Sequence, residues 1–203
     1  IQSDKSKITG SDKFALQLIP ISEIKKTTDK ILNFNKSNPE NNVVLVGAGA
    51  AGVEVALALS LCFKKNNIKN KIILLSKIKS ILKGYNYFAQ KNCKKDLLKN
   101  NIKVIFNAKV NKISKEYIVY NNNIKMYGKF PILCTAASPL DLLKKSNLPL
   151  NKKGSIEVNN YLLASGTSNI FAAGDIAEIK GYSTTKAGVY AVKQGKILFN
   201  NIV

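Results

Sequence analysis

One stretch limits what this chain can fold into more than any other: Val43-Val44-Leu45-Val46-Gly47-Ala48-Gly49-Ala50-Ala51-Gly52-Val53-Glu54. A continuous apolar run enters a Gly-x-Gly-x-x-Gly turn and leaves at helical spacing as far as Leu61, so strand, turn and helix are read as one unit. Each glycine has its own task there. Gly47 permits the turn, Gly49 lets the backbone approach a pyrophosphate, and Gly52 lets the helix pack closely on the strand. The helix N-terminus that follows presents free N–H groups and the positive end of its dipole. An ordinary tight turn would explain the glycines alone. A buried-type strand before them and an Ala/Leu-rich helix after them favour a dinucleotide site.

The elements that follow extend this unit. Lys71 to Ser76 supplies a second strand, and strand, helix and strand within about thirty residues make a right-handed βαβ unit. At the end of the second strand an acidic residue usually holds the ribose hydroxyls of the adenosine. Ser76-Lys77 stands there instead. A hydroxyl and an ammonium are compatible with a 2′-phosphate, which leaves NADH and NADPH both open, and a plain surface lysine with them. Tyr85 to Asn100 reads as a helix with Phe88, Cys93, Leu97 and Leu98 on its apolar side, and Ile102 to Phe106 as the next parallel strand. Val110 to Ser114, Glu116 to Tyr120 and Ile124 to Tyr127 alternate as an antiparallel meander turned at Asn121-Asn122-Asn123, before a buried-type strand over Phe130 to Thr135. Upstream, Phe14 to Ile21 holds a short strand, Ser22 caps a helix from Glu23 to about Phe34, and Asn35-Lys36-Ser37-Asn38-Pro39 breaks it as a linker. The fold expected is α/β, a Rossmann-like parallel sheet with an antiparallel three-strand meander.

Composition removes several function classes. The 203 residues carry 32 basic and 12 acidic side chains, a formal +20, yet every basic residue is Lys and the charge is scattered. Bidentate readout of bases and phosphates favours Arg, so nucleic acid is disfavoured as a partner. With no His, an imidazole acid/base, a Ser-His-Asp triad and a His-ligated metal are excluded, and no metal site is expected. Cys62, Cys93 and Cys134 are odd in number and widely spaced, as reduced thiols of a cytoplasmic protein would be. No apolar run reaches the length of a membrane span.

A second signal lies in the last third. Asn169-Ile170-Phe171-Ala172-Ala173-Gly174-Asp175 reads as a short strand ending in Gly-Asp, and a helix begins near Thr184 or Thr185 and runs to the C-terminus. Gly174 permits close backbone approach and Asp175 can accept hydrogen bonds from polyol hydroxyls. Alone, Gly-Asp after a strand is mostly a turn.

Taken together, Gly47 to Glu54, the meander, Leu133 to Ser138 and Thr167 to Asp175 resemble the FAD-dependent pyridine nucleotide oxidoreductases. Within them the chain is most similar to the type II NADH dehydrogenase-like module of the kind fused to selenide, water dikinase. That likeness rests on Lys186-Ala187-Gly188-Val189-Tyr190-Ala191-Val192-Lys193-Gln194-Gly195 and on Gly84-Tyr85-Asn86. The resemblance implies an NAD(P)H-binding domain over 36–155 and a partial FAD-binding domain over 1–35 and 156–203. It implies Gly47, Gly49, Ala50, Gly52, Glu54, Ser76, Lys77 and Ala136 on the nicotinamide nucleotide, with Glu54 orienting the nicotinamide. It implies Asp175 as ribityl ligand beside Gly174, and the amides of Gly188 and Val189 facing the flavin ring.

The activity implied is hydride transfer from nicotinamide to FAD and on to an acceptor such as a quinone, with no side chain acting as nucleophile or proton donor. A module that binds NAD(P) without turnover, in a larger protein of selenium metabolism, is the alternative. There is no first FAD glycine turn, and Ser76 and Ala136 replace the Glu and Gly usual in the family. Without Cys-x-x-Cys the chain cannot run dithiol exchange. The remainder of the FAD domain is expected in a longer chain; the acceptor, a homodimer and peripheral membrane contact stay open.

Overall fold

Val43, Val44, Leu45 and Val46, like Ile72, Ile73, Leu74 and Leu75, are apolar without alternation, a pattern stable only where both faces of a sheet are covered. In the computed structural model, which describes residues 2–3, 8–17, 24–135, 137–138, 141–182 and 188–202, all eight are buried. Ser22, Glu23, Ala136, Thr184 and Thr185 lie outside the described residues.

The chain forms two compact units, one of residues 3–136 and one of residues 137–203 with 1–2. The larger contains a five-stranded parallel sheet of β1 (Leu16–Gln17), β2 (Val43–Val46), β3 (Ile72–Leu75), β4 (Ile102–Ile105) and β8 (Ile132–Leu133). Their order is β1-β8-β2-β3-β4. Helices α1 (Ile24–Ser37), α2 (Ala50–Lys65) and α3 (Tyr87–Lys99) belong to the same unit, as do the meander strands β5 (Val110–Ile113), β6 (Tyr117–Tyr120) and β7 (Ile124–Tyr127).

Strand pleating sorts the buried residues into two cores. Val43, Leu45, Ile72, Leu74 and Ile132 pack with Ile31 of α1, with Val53, Ala56, Leu59 and Phe63 of α2, and with Leu97 of α3. Val44, Val46, Ile73, Leu75 and Leu133 pack with Val110, Ile113 and Ile118 of the meander. The result is three layers: helices, parallel sheet, meander. Each fully buried Val or Leu in such a layer contributes about 1.5–3 kcal/mol.

The layering explains where sequence and structure part. Because Ile31 is 2% exposed inside the helix-side core, α1 belongs with the sheet, although 1–35 was expected in the other domain. Asn35 to Pro39 is no slack linker. Asn35 is buried and donates to the Ile31 carbonyl (2.7 Å), Asn41 donates to the Asn35 Oδ1 (2.9 Å), and Asn70 donates to the carbonyls of Asn38 (2.7 Å) and Asn41 (2.9 Å). Side-chain amides thus replace the hydrogen bonds that the turn would otherwise take from water. Phe130, at φ 58°, starts the last strand late, at Ile132. The expected strand over Phe14 to Ile21 is confined, among the described residues, to Leu16–Gln17, after a helical turn at Ser11–Phe14.

The smaller unit pairs β9 (Ile156–Val158) with β10 (Ala177–Ile179) in parallel. Leu143, in the short helix α4 (Asp141–Lys145), shares its core with Ile156, Val158, Leu162 and Ala172. Helix α5 (Gly188–Ile202) turns Gln194 and Leu198 inward, and leaves Val189, Val192, Phe199 and Ile202 exposed.

Candidate functional site

The sheet order locates a crevice before any ligand is considered. Leaving β2, the chain crosses through α2 on the helix side to β3; it reaches β8, on the other flank of β2, only after the meander on the opposite face. Connections diverging to opposite faces leave the carboxyl end of β2 open, and ligands of doubly wound sheets bind at such a switch point. The glycine turn lies there.

Two of its glycines are fixed by protein atoms. Gly47 has φ +113°, donates to the Leu75 carbonyl (2.9 Å), and a Cβ on it would lie 2.4 Å from the Cys134 carbonyl oxygen. Cys134 in turn donates to the Val46 carbonyl (2.9 Å), which brings the ends of β2 and β8 into contact at the turn. On Gly52 a Cβ would lie 1.8 Å from the Gly47 carbonyl oxygen, so the first turn of α2 rests directly on backbone. Gly49 differs. A Cβ there would meet nothing within 4 Å.

Gly49 is also the N-cap of α2, with no side chain capping it, and Val53 donates to its carbonyl (3.1 Å). The first N–H groups of the helix therefore point toward open space with the dipole's positive end behind them, at the one glycine of this turn without packed neighbours. That combination fits a diphosphate and has no structural purpose of its own. Ala50 begins the helix, and Glu54 is exposed in its second turn.

Ser76 and Lys77 part company. Ser76 is 2% exposed, and its hydroxyl lies 2.9 Å from the Ile78 carbonyl and 2.8 Å from that of Ser80, closing the corner from within, whereas Lys77 is exposed. Further on, Leu82 adopts φ 50° and donates to the Ala48 carbonyl (2.9 Å), which ties this loop to the glycine turn. No periodicity signals that bond. Leu82 is buried by it.

Cys134 bounds the turn without being reactive. Burial pushes its thiol from 9.0 up to about 12. The unfolded thiol ionises above pH 9 and the folded one does not, so this group's stabilising contribution is complete below pH 9 and is lost as pH rises from 9 toward 12. Alkylation of the native protein at pH 8 is expected to label Cys62 and Cys93 and to spare Cys134 until denaturant is added, with peptide mass mapping as the readout. Labelling of Cys134 in native protein would contradict a closed wall.

The second motif is built differently from the strand expected. Phe171 makes only an isolated bridge to Leu163, and Gly174–Ile176 is a single 3-10 turn. Gly174 has φ +73°, and its N–H donates to the side-chain oxygen of Gln194 (2.6 Å). Gln194, a polar residue 8% exposed on the inward side of α5 between Ala191 and Leu198, fixes the Gly-Asp turn. Sequence reading assigned it no role; its signal is one polar side chain on an otherwise apolar stripe. Thr167 uses its hydroxyl on the Ala164 carbonyl (2.8 Å). The Asp175 carboxylate accepts no hydrogen bond from the described residues and is partly exposed. Gly188 and Val189 are exposed at the described start of α5, and a Cβ on Gly188 would meet nothing within 4 Å. Thus Gly47, Gly49, Ala50, Gly52, Glu54, Ser76 and Lys77 lie in the larger unit, and Gly174, Asp175, Gly188 and Val189 in the smaller.

Residues 8–195 match the family described as pyridine nucleotide-disulphide oxidoreductase. A probable NADH dehydrogenase of Dictyostelium discoideum is 28% identical over 178 residues, which is 78% of this chain and 38% of that protein. An NADH oxidase of Methanocaldococcus jannaschii is 31% identical over 183 residues, 85% of this chain and 39% of that protein. Among solved structures, a NAD-dependent persulfide reductase from A. fulgidus superposes with TM-score 0.78 at 22% identity, covering 99% of this chain and 37% of that one. The chain therefore spans less than half the length of each of these proteins.

Proposed function

The chain belongs to the pyridine nucleotide-disulphide oxidoreductase family, and from that premise we propose that it is the nicotinamide-nucleotide-binding part, with a portion of the flavin-binding part, of an FAD-dependent NAD(P)H oxidoreductase. The observation that carries this reading is the glycine turn: two glycines jammed against backbone, and the third opening an uncapped helix N-terminus to space. In this reading the larger unit, residues 3–136, binds the nucleotide, and the smaller, residues 137–203 with 1–2, supplies flavin contacts.

Within that role the residues divide as follows. The amides at Gly49 and Ala50 hold the diphosphate, Gly47 and Gly52 fix the turn that aims them, and Glu54 orients the nicotinamide end. Ala136 lies beside the same nucleotide. Asp175 takes the ribityl hydroxyls, oriented by the Gly174 to Gln194 bond, and the amides of Gly188 and Val189 stabilise negative charge at the flavin ring. When bound, the cofactors supply the chemistry, hydride transfer from nicotinamide C4 to flavin N5. All three cysteines are free and none pairs with another, which favours an acceptor such as a quinone over a dithiol relay through this chain.

The apolar side chains that α5 exposes, Val192 and Phe199 above all, are covered in this reading by the remainder of the FAD domain. Among the described residues no helix is long and apolar enough to cross a membrane. Sequencing the gene on both sides tests the link to a selenide, water dikinase fusion.

Purification of the full-length protein, which includes the remainder of the FAD domain, followed by addition of NADH or NADPH, tests the activity. Yellow protein that bleaches on addition supports the oxidoreductase. Colourless protein that still takes up the nucleotide would instead support a binding module without turnover, and protein that takes up neither would contradict both.

A further inference from the structure

The nicotinamide-nucleotide reading above is the premise here, and the loop after β3 extends it. We infer that the dinucleotide is the 2′-phosphorylated one, NADPH, recognised by Lys77 together with Lys79.

Position comes first. β3 is the direct neighbour of β2, and the loop leaving its carboxyl end is tied to the glycine turn by the bond from Leu82 to the Ala48 carbonyl (2.9 Å). A dinucleotide with its diphosphate on that turn lays its adenosine ribose against this loop. Discrimination between the two coenzymes takes place there, since they differ only at the ribose 2′ position.

Chemistry comes second. Selection of an unphosphorylated ribose uses a carboxylate that accepts from the hydroxyls and repels a phosphate. No Asp or Glu occurs anywhere between Glu54 and Asp96, a span that takes in most of α2, all of β3, the loop and most of α3. The loop instead carries Lys77, Lys79 and Lys83, all exposed and none in an ion pair among the described residues.

Geometry separates these lysines from the many others on a chain of +20. The Ser76 hydroxyl is turned inward onto the Ile78 and Ser80 carbonyls, so it does not reach a ribose. From the strand side, Ala108 donates to the Ser76 carbonyl (2.8 Å) and Asn107 to that of Ile78 (3.4 Å). A corner held from within and from β4, with Ile81 and Leu82 buried beyond it, presents Lys77 and Lys79 from a fixed base. A phosphate carrying about −1.5 to −2 charge gains from two such cations, and a hydroxyl does not.

Titration of the intact chain with NADPH and with NADH tests this. NADPH is expected to bind at least about tenfold more tightly, the scale of one charge-assisted contact. The Lys77→Gln/Lys79→Gln double variant is expected to weaken NADPH by about tenfold or more while changing NADH by less than about twofold. Both side chains are exposed, so an unchanged melting curve shows that the variant folds. Lys36→Gln, exposed at the end of α1 that precedes the opposite end of β2, serves as the control for general charge and is expected to alter neither affinity. NADH binding as tightly as NADPH, or equal losses in the double variant and the control, would overturn the inference and leave the nucleotide site standing. Failure of both coenzymes to bind would overturn the site itself, and this inference with it.

Discussion

Gly52→Ala is expected to cost the larger unit about 3–5 kcal/mol and to abolish nucleotide binding with it, the scale of a severe steric conflict at a packed position. The added methyl would lie 1.8 Å from the Gly47 carbonyl oxygen and 3.4 Å from the Cys134 Cβ. The near neighbour is backbone, so no rotamer change relieves it; either α2 lifts off the sheet or the turn opens. Both movements separate the helix N-terminus from the strand end that positions it. Of a stability of about 5–15 kcal/mol, typical for a domain, that is a large fraction. A thermal or denaturant melt beside a coenzyme titration reads both effects. A variant that melts and binds as the parent does would mean that the helix does not start where the structure puts it.

Three residues earlier, the same substitution has the opposite signature. Gly49→Ala meets nothing within 4 Å, and the N-cap backbone at φ −76° and ψ −173° is extended geometry that any residue adopts. Stability is expected to stay level or to rise by about 0.4–1 kcal/mol through loss of freedom in the unfolded chain. Coenzyme affinity is expected to fall by about a hundredfold, equivalent to about 2.7 kcal/mol, because the methyl occupies the space through which the diphosphate approaches the amides. Stability and binding thus move together at Gly52 and apart at Gly49. A Gly49→Ala protein with undiminished affinity would place the diphosphate elsewhere.

The contrast between these glycines also marks what could be read from residues alone. Their separate tasks follow from spacing, because strand, turn and helix are local in sequence and the apolar run of Val43 to Val46 needs cover on both faces. The meander was legible for the same reason: β6 and β7 begin and end within a residue of the alternating runs. Contacts between distant segments were not. Asn35 to Pro39 has the composition of a linker, and the amide of Asn70, from just before β3, helps to make it a fixed corner. Ser76 offered a hydroxyl at the right place in the strand, but a hydroxyl bonds the nearest carbonyl, and its own loop supplies two. Gln194 reads as a surface residue until Gly174 is brought to it. Phe130 sits at φ 58°, a conformation that no aromatic side chain advertises in sequence.

Direct titration of the purified chain with NADPH and NADH, followed by nicotinamide fluorescence and run in parallel on Gly49→Ala, tests the central claim most directly. Saturable uptake at one site by the parent, and its loss in a variant that melts no earlier, is the result this account predicts. No uptake by the folded parent at millimolar coenzyme, or equal uptake by both proteins, would contradict it.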